Sequence, residues 1–270
     1  MRLQGRHAIV TGGGTGIGAA IAEALAAEGA SLTLVGRRRE KLDEAARRCF
    51  PAQAGAQAAA APPSSTAPGP RPAPGSIFVA PADVTDRAQI DSAFAAARKR
   101  HGPISILVNN AGISEGVPFA KVTERLWRDM LAVNLDGMFR CCQAALADLL
   151  EAEAGRIVTI ASMAGLQGFA YASPYIAAKH GAVGLTRALA AEYARTNLRV
   201  NAVCPGFVDT EMTVRSVANI TAKTGRSEGE ARAELAGLNR SGRLIAPAEI
   251  ASLTLALILS DRNGEAVEIA

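Results

Sequence analysis

Aromatic side chains are scarce in this chain of 270 residues: seven phenylalanines, three tyrosines and one tryptophan, 4% in all. A surface that stacks unpaired bases needs such rings along a positive groove, and no stretch here interleaves aromatics with a long basic run. A nucleic-acid partner is therefore not expected. Paired cysteines are also missing. Cys49, Cys141, Cys142 and Cys204 show no disulfide or metal-ligand spacing, and adjacent Cys141 and Cys142 point in different directions on a helix. This excludes a disulfide scaffold and a zinc site, and predicts free thiols in a reducing compartment with no metal. Long apolar runs are absent too: residues 250–259 are interrupted by Ser252 and Thr254 and are too short to span a bilayer. No membrane span is expected. Residues 1–6 leave no room for a signal peptide ahead of the first apolar run, so a cytoplasmic location is the expectation. Lysine is rare, with five against 24 arginines. The net charge of +4 is scattered, which suits a solvated basic surface or a small phosphate-bearing ligand.

Short apolar runs alternate with longer helical stretches along the whole chain, at 7–11, 31–35, 77–81, 104–109, 156–162, 199–204 and 266–269. Seven strands separated by helices predict an α/β fold with a parallel sheet covered on both faces. Residues 127–150 and 175–194 read as long helices with core-facing stripes, Leu131, Leu135, Met138 and Phe139 on the first and Val183, Leu185, Leu189 and Tyr193 on the second. Residues 51–76 hold seven of the thirteen prolines and almost nothing to bury, which predicts a disordered surface insertion. Residues 207–243 are polar, with one clear helix opened by the capping box Ser227-Glu-Gly-Glu230 and followed by Gly237, and suit a lid. Pro247 then opens the final helix.

The run Gly12, Gly14, Thr15, Gly16, Ile17 and Gly18 follows an apolar strand and starts a helix. Glycines let the backbone pass close to a pyrophosphate, while the helix N-terminus offers unpaired N–H groups and partial positive charge. The second strand ends Gly36-Arg37-Arg38, with glycine where an acid would meet free ribose hydroxyls. Arginine there suits a 2′-phosphate, so NADP is favoured over NAD, with Arg37 ahead of Arg38. Asp83 and Val84, and the run Asn109, Asn110, Ala111 and Gly112, fall just after strands on the edge where such sheets bind ligands. Asp83 equally suits a helix N-cap, and Asn109 a bridge between strands.

Ser162 lies on that same edge, and Tyr175 and Lys179 follow four residues apart. This spacing puts both side chains on one helical face, where an ammonium lowers the pKa of a neighbouring phenol. With three tyrosines and five lysines the pair arises by chance only about 0.06 times.

On these motifs the chain resembles the short-chain dehydrogenase/reductase family over nearly its whole length. The family's glycine pattern matches Gly12, Gly16 and Gly18, its Asn-Asn-Ala-Gly matches Asn109 to Gly112, and its active-site tetrad matches Asn134, Ser162, Tyr175 and Lys179. Pro205, Gly206, Val208 and Thr210 resemble the turn against the nicotinamide and pyrophosphate. The resemblance implies one Rossmann-type doubly wound domain over 1–270, with a seven-stranded parallel sheet and a small lid after the sixth strand. It implies that Tyr175 transfers a proton, Ser162 holds the substrate oxygen, Lys179 lowers the phenol pKa and holds the ribose, and Asn134 anchors a water-linked proton path. It also implies a homo-oligomer, a tetramer or dimer. The region 214–243 resembles the lid of reductases of 3-oxoacyl thioesters, carried on acyl carrier protein or coenzyme A, with Arg215, Arg226, Arg232, Arg240 and Arg243 near the thioester's phosphates. Two alternatives stay open: NAD-dependent oxidation of a 3-hydroxyacyl-CoA or other secondary alcohol, and a catalytically silent nucleotide sensor or interaction protein.

Overall fold

The computed structural model describes residues 1–50 and 75–270. The element order is β1 (His7–Thr11), α1 (Gly16–Ala27), β2 (Ser31–Gly36), α2 (Arg39–Cys49), β3 (Ile77–Pro81), α3 (Arg87–His101) and β4 (Ile106–Asn109). Next come α4 (Glu124–Leu131), α5 (Gly137–Glu151), β5 (Arg156–Ile160), α6 (Ser173–Glu192), β6 (Arg199–Pro205), α7 (Glu211–Thr224), α8 (Glu228–Gly237), α9 (Pro247–Ile258) and β7 (Ala266–Ile269). The seven strands form one parallel sheet in the order β3-β2-β1-β4-β5-β6-β7. The order reverses between β1 and β4, which opens a crevice at the carboxyl ends of these strands.

Each face of the sheet has its own core, because strand side chains alternate. Ala8, Val10, Leu32 and Leu34 point to α1 and α9, where Ile21, Leu25, Ile250 and Leu257 are fully or almost fully buried. Ile9, Val35, Leu107 and Ile157 point the other way, to Phe94 of α3, Leu149 of α5 and Ala182 of α6. Strands buried on both faces read as continuous apolar runs, which is why they are legible in the sequence.

Differences from the sequence reading are local. β4 starts at Ile106 and not at residue 104, and β5 ends at Ile160, before Ser162. The long helix expected over 127–150 is interrupted by a π turn, Ala132–Asp136, and Phe139 of its apolar stripe is 45% exposed. The lid holds two helices, not one: α7 is rich in threonine and valine, weak helix formers. Tertiary packing overrides that preference, since Val217 and Ile220 pack on Ala231 and Leu235 of α8. The Ser227–Glu230 capping box forms as expected, although Gly237 is the last residue of α8 and does not follow it. Most of the proline-rich insertion lies outside the described residues. Its last two residues, Gly75 and Ser76, are buried, and Ser76 Oγ lies 3.2 Å from His101 Nδ1. Among the described residues no helix is long and apolar enough to cross a membrane, no metal-ligand cluster occurs, and the four cysteines are unpaired.

Candidate active site

The β1-to-α1 turn is shaped by close approach. A Cβ on Gly18 would stand 2.2 Å from the Gly12 carbonyl oxygen and 2.4 Å from Asn110 Nδ2. Gly12 itself has φ +63 and would press a Cβ onto Asn110 and Ala111. Only glycine fits either place. Thr11 Oγ1 accepts from the Asn110 and Ala111 amides at 3.0 and 3.1 Å, and Asn110 Nδ2 donates to the Thr11 and Gly12 carbonyls at 3.0 and 3.1 Å. The staple between β1 and β4 is thus Asn110, not Asn109. At the start of α1, Thr15 makes no side-chain cap and the first turn has no acid, so the N–H groups there have no competing carboxylate. Gly14 and Ile17 belong to this same turn, and Thr210, just before α7, lies over it: a Cβ on Gly16 would be 3.1 Å from Thr210 Cγ2.

At the far end of β2, both arginines are ion-paired. Arg37 Nη1 lies 3.8 Å from Asp83 Oδ2, and Arg38 Nη2 lies 3.4 Å from Glu211 Oε2 on the lid. Asp83 does not cap α3, which Asp86 does by accepting from the Ala88 and Gln89 amides. Asp83 Oδ1 instead accepts from Thr85 N and Oγ1, and neighbouring Val84 packs against Gly137 at the start of α5.

Ser162 follows β5 and accepts from the Ala164 amide through its hydroxyl at 3.1 Å, holding a short turn at Met163–Gly165. Tyr175, in the first turn of α6, is half-buried, and Ser162 is the side chain that acts on its phenol. Lys179, one turn on, is 5% exposed; its Nζ donates to the Ile160 carbonyl at 2.9 Å and lies 5.7 Å from the Tyr175 ring centroid. The acidified phenol expected from the Tyr-x3-Lys spacing is not found. Burial holds the Tyr175 phenol above its ordinary pKa, and the bond to Ser162 only partly offsets this. Lys179 in turn is pushed down to about 8 by burial, with the Cys204 thiol opposing that shift. The ammonium is held by the Ile160 carbonyl and lies over the Tyr175 ring, and it is not among the causes of the phenol's shift.

Asn134 sits in the π turn and clamps the segment after β4. Its Oδ1 accepts from Ile113 N at 3.1 Å, and its Nδ2 donates to the Ile113 and Met130 carbonyls, each at 3.0 Å. Gly112 makes room for it, since a Cβ there would be 2.8 Å from Asn134 Oδ1 and 3.7 Å from Lys179 Nζ. Pro205 ends β6, Gly206 N donates to the Ile269 carbonyl at 2.8 Å, and Val208 bridges in parallel to Ile245. Sequence reasoning missed Asn239. Buried at 3% exposure, it accepts from Phe207 N at 2.8 Å and donates to the Phe207 and Arg243 carbonyls, fastening the Pro205-Gly206 turn to the end of the lid. No periodic or motif signal surrounds it, so only tertiary contacts reveal it.

Exposed apolar side chains stand at Leu166 and Tyr171 before α6 and at Met212 and Val214 on α7. Tyr171 has φ 65 and accepts from the Val117 amide at 2.7 Å, while Lys223 of α7 donates to the Gly116 carbonyl at 3.2 Å. The lid arginines expected near an anion are each engaged within the protein: Arg215 with Glu211, Arg226 with Glu234, Arg232 with Asp209, Arg240 with Glu268 and Arg243 with Glu249.

A glycine-shaped helix N-terminus and a Ser-Tyr-Lys set thus share one sheet edge, and the chain as a whole is similar to known proteins. The family model for short chain dehydrogenase matches residues 6–67 and 71–221. The chain is 38% identical to the granaticin polyketide synthase putative ketoacyl reductase 1 of Streptomyces violaceoruber, over 94% of this chain and 86% of that one. It is 36% identical to levodione reductase of Leifsonia aquatica, over 96% and 89%. Among solved structures, a single-residue variant of actinorhodin polyketide ketoreductase with NADPH superposes with a TM-score of 0.86 at 34% identity, covering 98% of this chain and 95% of that one. The chain therefore belongs to the short-chain dehydrogenase family and is an oxidoreductase that interconverts C=O and CH–OH groups.

Proposed function

We propose that this enzyme reduces the ketone of a 3-oxoacyl thioester, carried on acyl carrier protein or coenzyme A, with NADPH as reductant. The observation that carries this reading is the Tyr175 phenol, half-buried on the same sheet edge as Ser162 and kept protonated by burial. Reduction of a ketone ends with a proton delivered to the new alkoxide, and a neutral phenol is the group to deliver it. The dinucleotide, when bound, supplies the hydride from its nicotinamide.

The chain's own residues do the rest. The turn of Gly12, Gly16 and Gly18, shaped by its own close packing, leads into the open N-terminus of α1, whose free N–H groups accept a pyrophosphate. Arg37 and Arg38, just after β2, suit a 2′-phosphate, with Gly36 where an acid would meet free ribose hydroxyls, and the phosphate would compete with Asp83 and Glu211 for them. Asp83, Val84, Asn110, Ala111 and Gly112 form the wall of the cofactor cleft, and Pro205, Gly206, Val208 and Thr210 its opposite bank. Ser162 donates to the substrate oxygen as charge builds on it. Tyr175 gives its proton to that oxygen, Lys179 stands behind the phenol as the next proton source, and Asn134 holds the π turn beside Lys179. Leu166, Met212 and Val214 favour an acyl chain over a sugar, since they offer exposed apolar surface and no hydrogen-bond donors.

Kinship supports the substrate class. Relatives at 32–33% identity are the 3-oxoacyl-[acyl-carrier-protein] reductases MabA of Mycobacterium avium and Mycobacterium bovis. The same reading includes a homo-oligomer, for which exposed Phe119, Trp127 and Phe139 on and beside α4 and α5 supply apolar surface. The test is turnover of acetoacetyl-CoA and longer homologues with NADPH. Turnover of simple ketones or quinones but of no 3-oxoacyl thioester would overturn the substrate reading.

A further inference from the structure

Asn109 closes β4 and is 5% exposed. Its Nδ2 donates to Cys142 Sγ on α5 at 3.2 Å, whereas its Oδ1 is buried with no hydrogen-bond partner among the described residues. A buried amide oxygen left unpaired costs about 1–3 kcal/mol, and native folds seldom tolerate that without a use. The same side chain lines a cavity of about 10 Å³, whose other polar walls come from Thr11, Asn134, Thr159, Ile160 and Lys179. Such a volume holds about one water, provided it finds two to four polar partners.

Most polar groups around that cavity are already engaged. Thr11 Oγ1 accepts from two amides, the Asn134 side chain is taken up by Ile113 and Met130, and Thr159 Oγ1 donates to Met138 Sδ at 3.8 Å. Asn109 Oδ1 is the acceptor left over. Lys179 is the donor, because its ammonium carries three hydrogens and its one hydrogen bond among the described residues goes to Ile160.

We propose that Asn109 is a positioning residue for the reaction, its amide oxygen holding the Lys179 ammonium through one water in this cavity. The water accepts from Lys179 Nζ and donates to Asn109 Oδ1, while the amide nitrogen donates to Cys142 Sγ. Among the described residues, the titratable groups facing Lys179 are the Tyr175 phenol on its own helix and the Cys204 thiol on β6, and no carboxylate lines the cavity. Burial keeps Cys204 and Cys142 un-ionised, pushed up to about 11 and about 12. Lys179 therefore keeps its charge with neutral dipoles alone, and Asn109 supplies one of them. The role in turnover rests on the reading of Lys179 as part of the proton path; the contact itself does not.

The experiment follows the Nζ signal of Lys179 by NMR as a function of pH, in the full-length chain labelled at its five lysines, with assignment by Lys179→Met. Two variants bracket the wild type. Asn109→Asp should raise the Lys179 titration by about one pH unit or more, and near-isosteric Asn109→Leu should lower it by about as much. The alkaline limb of kcat/KM for ketone reduction should move in the same direction in both, while the dinucleotide Kd changes by less than about twofold. A Lys179 titration fixed within about 0.3 units in the folded variants, or a limb that stays put while the titration moves, would overturn the proposal. If Asn109→Leu does not fold, Asn109→Asp decides alone. If no ketone is turned over, the NMR titration still tests the contact, separately from the proposed function.

Discussion

Buried His7 and half-buried His101 pair on the sheet edge opposite the active site, and their titration is expected to set the protein's acid limit. His7 begins β1, with Nδ1 2.9 Å from the Gly102 carbonyl and Nε2 2.9 Å from Thr33 Oγ1. His101 ends α3, its ring edge-to-face with His7 at 5.1 Å and with Phe78 at 6.5 Å. Burial pushes His7 down to about 4, and burial together with the His7 charge pushes His101 down to about 3. Both rings titrate near 6.5 once unfolded, so between pH 6.5 and these lower values the unfolded chain binds more protons than the fold. Stability is therefore full above pH 6.5 and falls as pH drops. At pH 5 each ring contributes about 1.5 units × 1.36 kcal/mol, about 2 kcal/mol, and the pair costs about 4 kcal/mol. That is a large part of the about 5–15 kcal/mol a domain has. His101→Phe keeps the ring volume beside Phe78 and removes one titrating group, so urea unfolding at pH 7 and pH 5 should show about half the wild-type loss. An equal loss in both proteins would refute the argument.

Other changes have equally direct outcomes. Gly18→Ala places a methyl group 2.2 Å from a backbone oxygen, and should cost at least about 3 kcal/mol in urea unfolding and abolish dinucleotide binding. Arg38→Ala should weaken NADPH at least about tenfold in fluorescence titration while leaving NADH within about twofold. Glu211→Gln frees Arg38 from its lid partner and should tighten NADPH by about two- to fivefold at low salt, an effect that about 0.5 M salt erases.

Much of this was legible in the sequence because burial on both faces turns each central strand into an apolar run. The edges were less so. Ile104 and Ala161 are apolar and buried yet lie outside the strands, since apolar character marks burial and not hydrogen-bond pairing. Helix α7 was missed because its threonines and valines argue against a helix until α8 is there to pack on. The spacing of Ser162, Tyr175 and Lys179 located the chemistry, but the direction of the phenol shift depends on burial, which a spacing does not carry. Asn109 and Asn110 are identical neighbours, and only the end of β4 decides that one staples the turn while the other faces the lysine.

The central claim is that Tyr175 is the proton donor in ketone reduction at a site that prefers NADPH. Tyr175→Phe keeps the ring and removes the hydroxyl. Its single-turnover rate of NADPH oxidation with acetoacetyl-CoA, measured beside its NADPH Kd, tests the claim most directly. A loss of about 10²- to 10⁴-fold in rate with Kd held within about twofold is the expected result. A variant as fast as the parent would contradict the account.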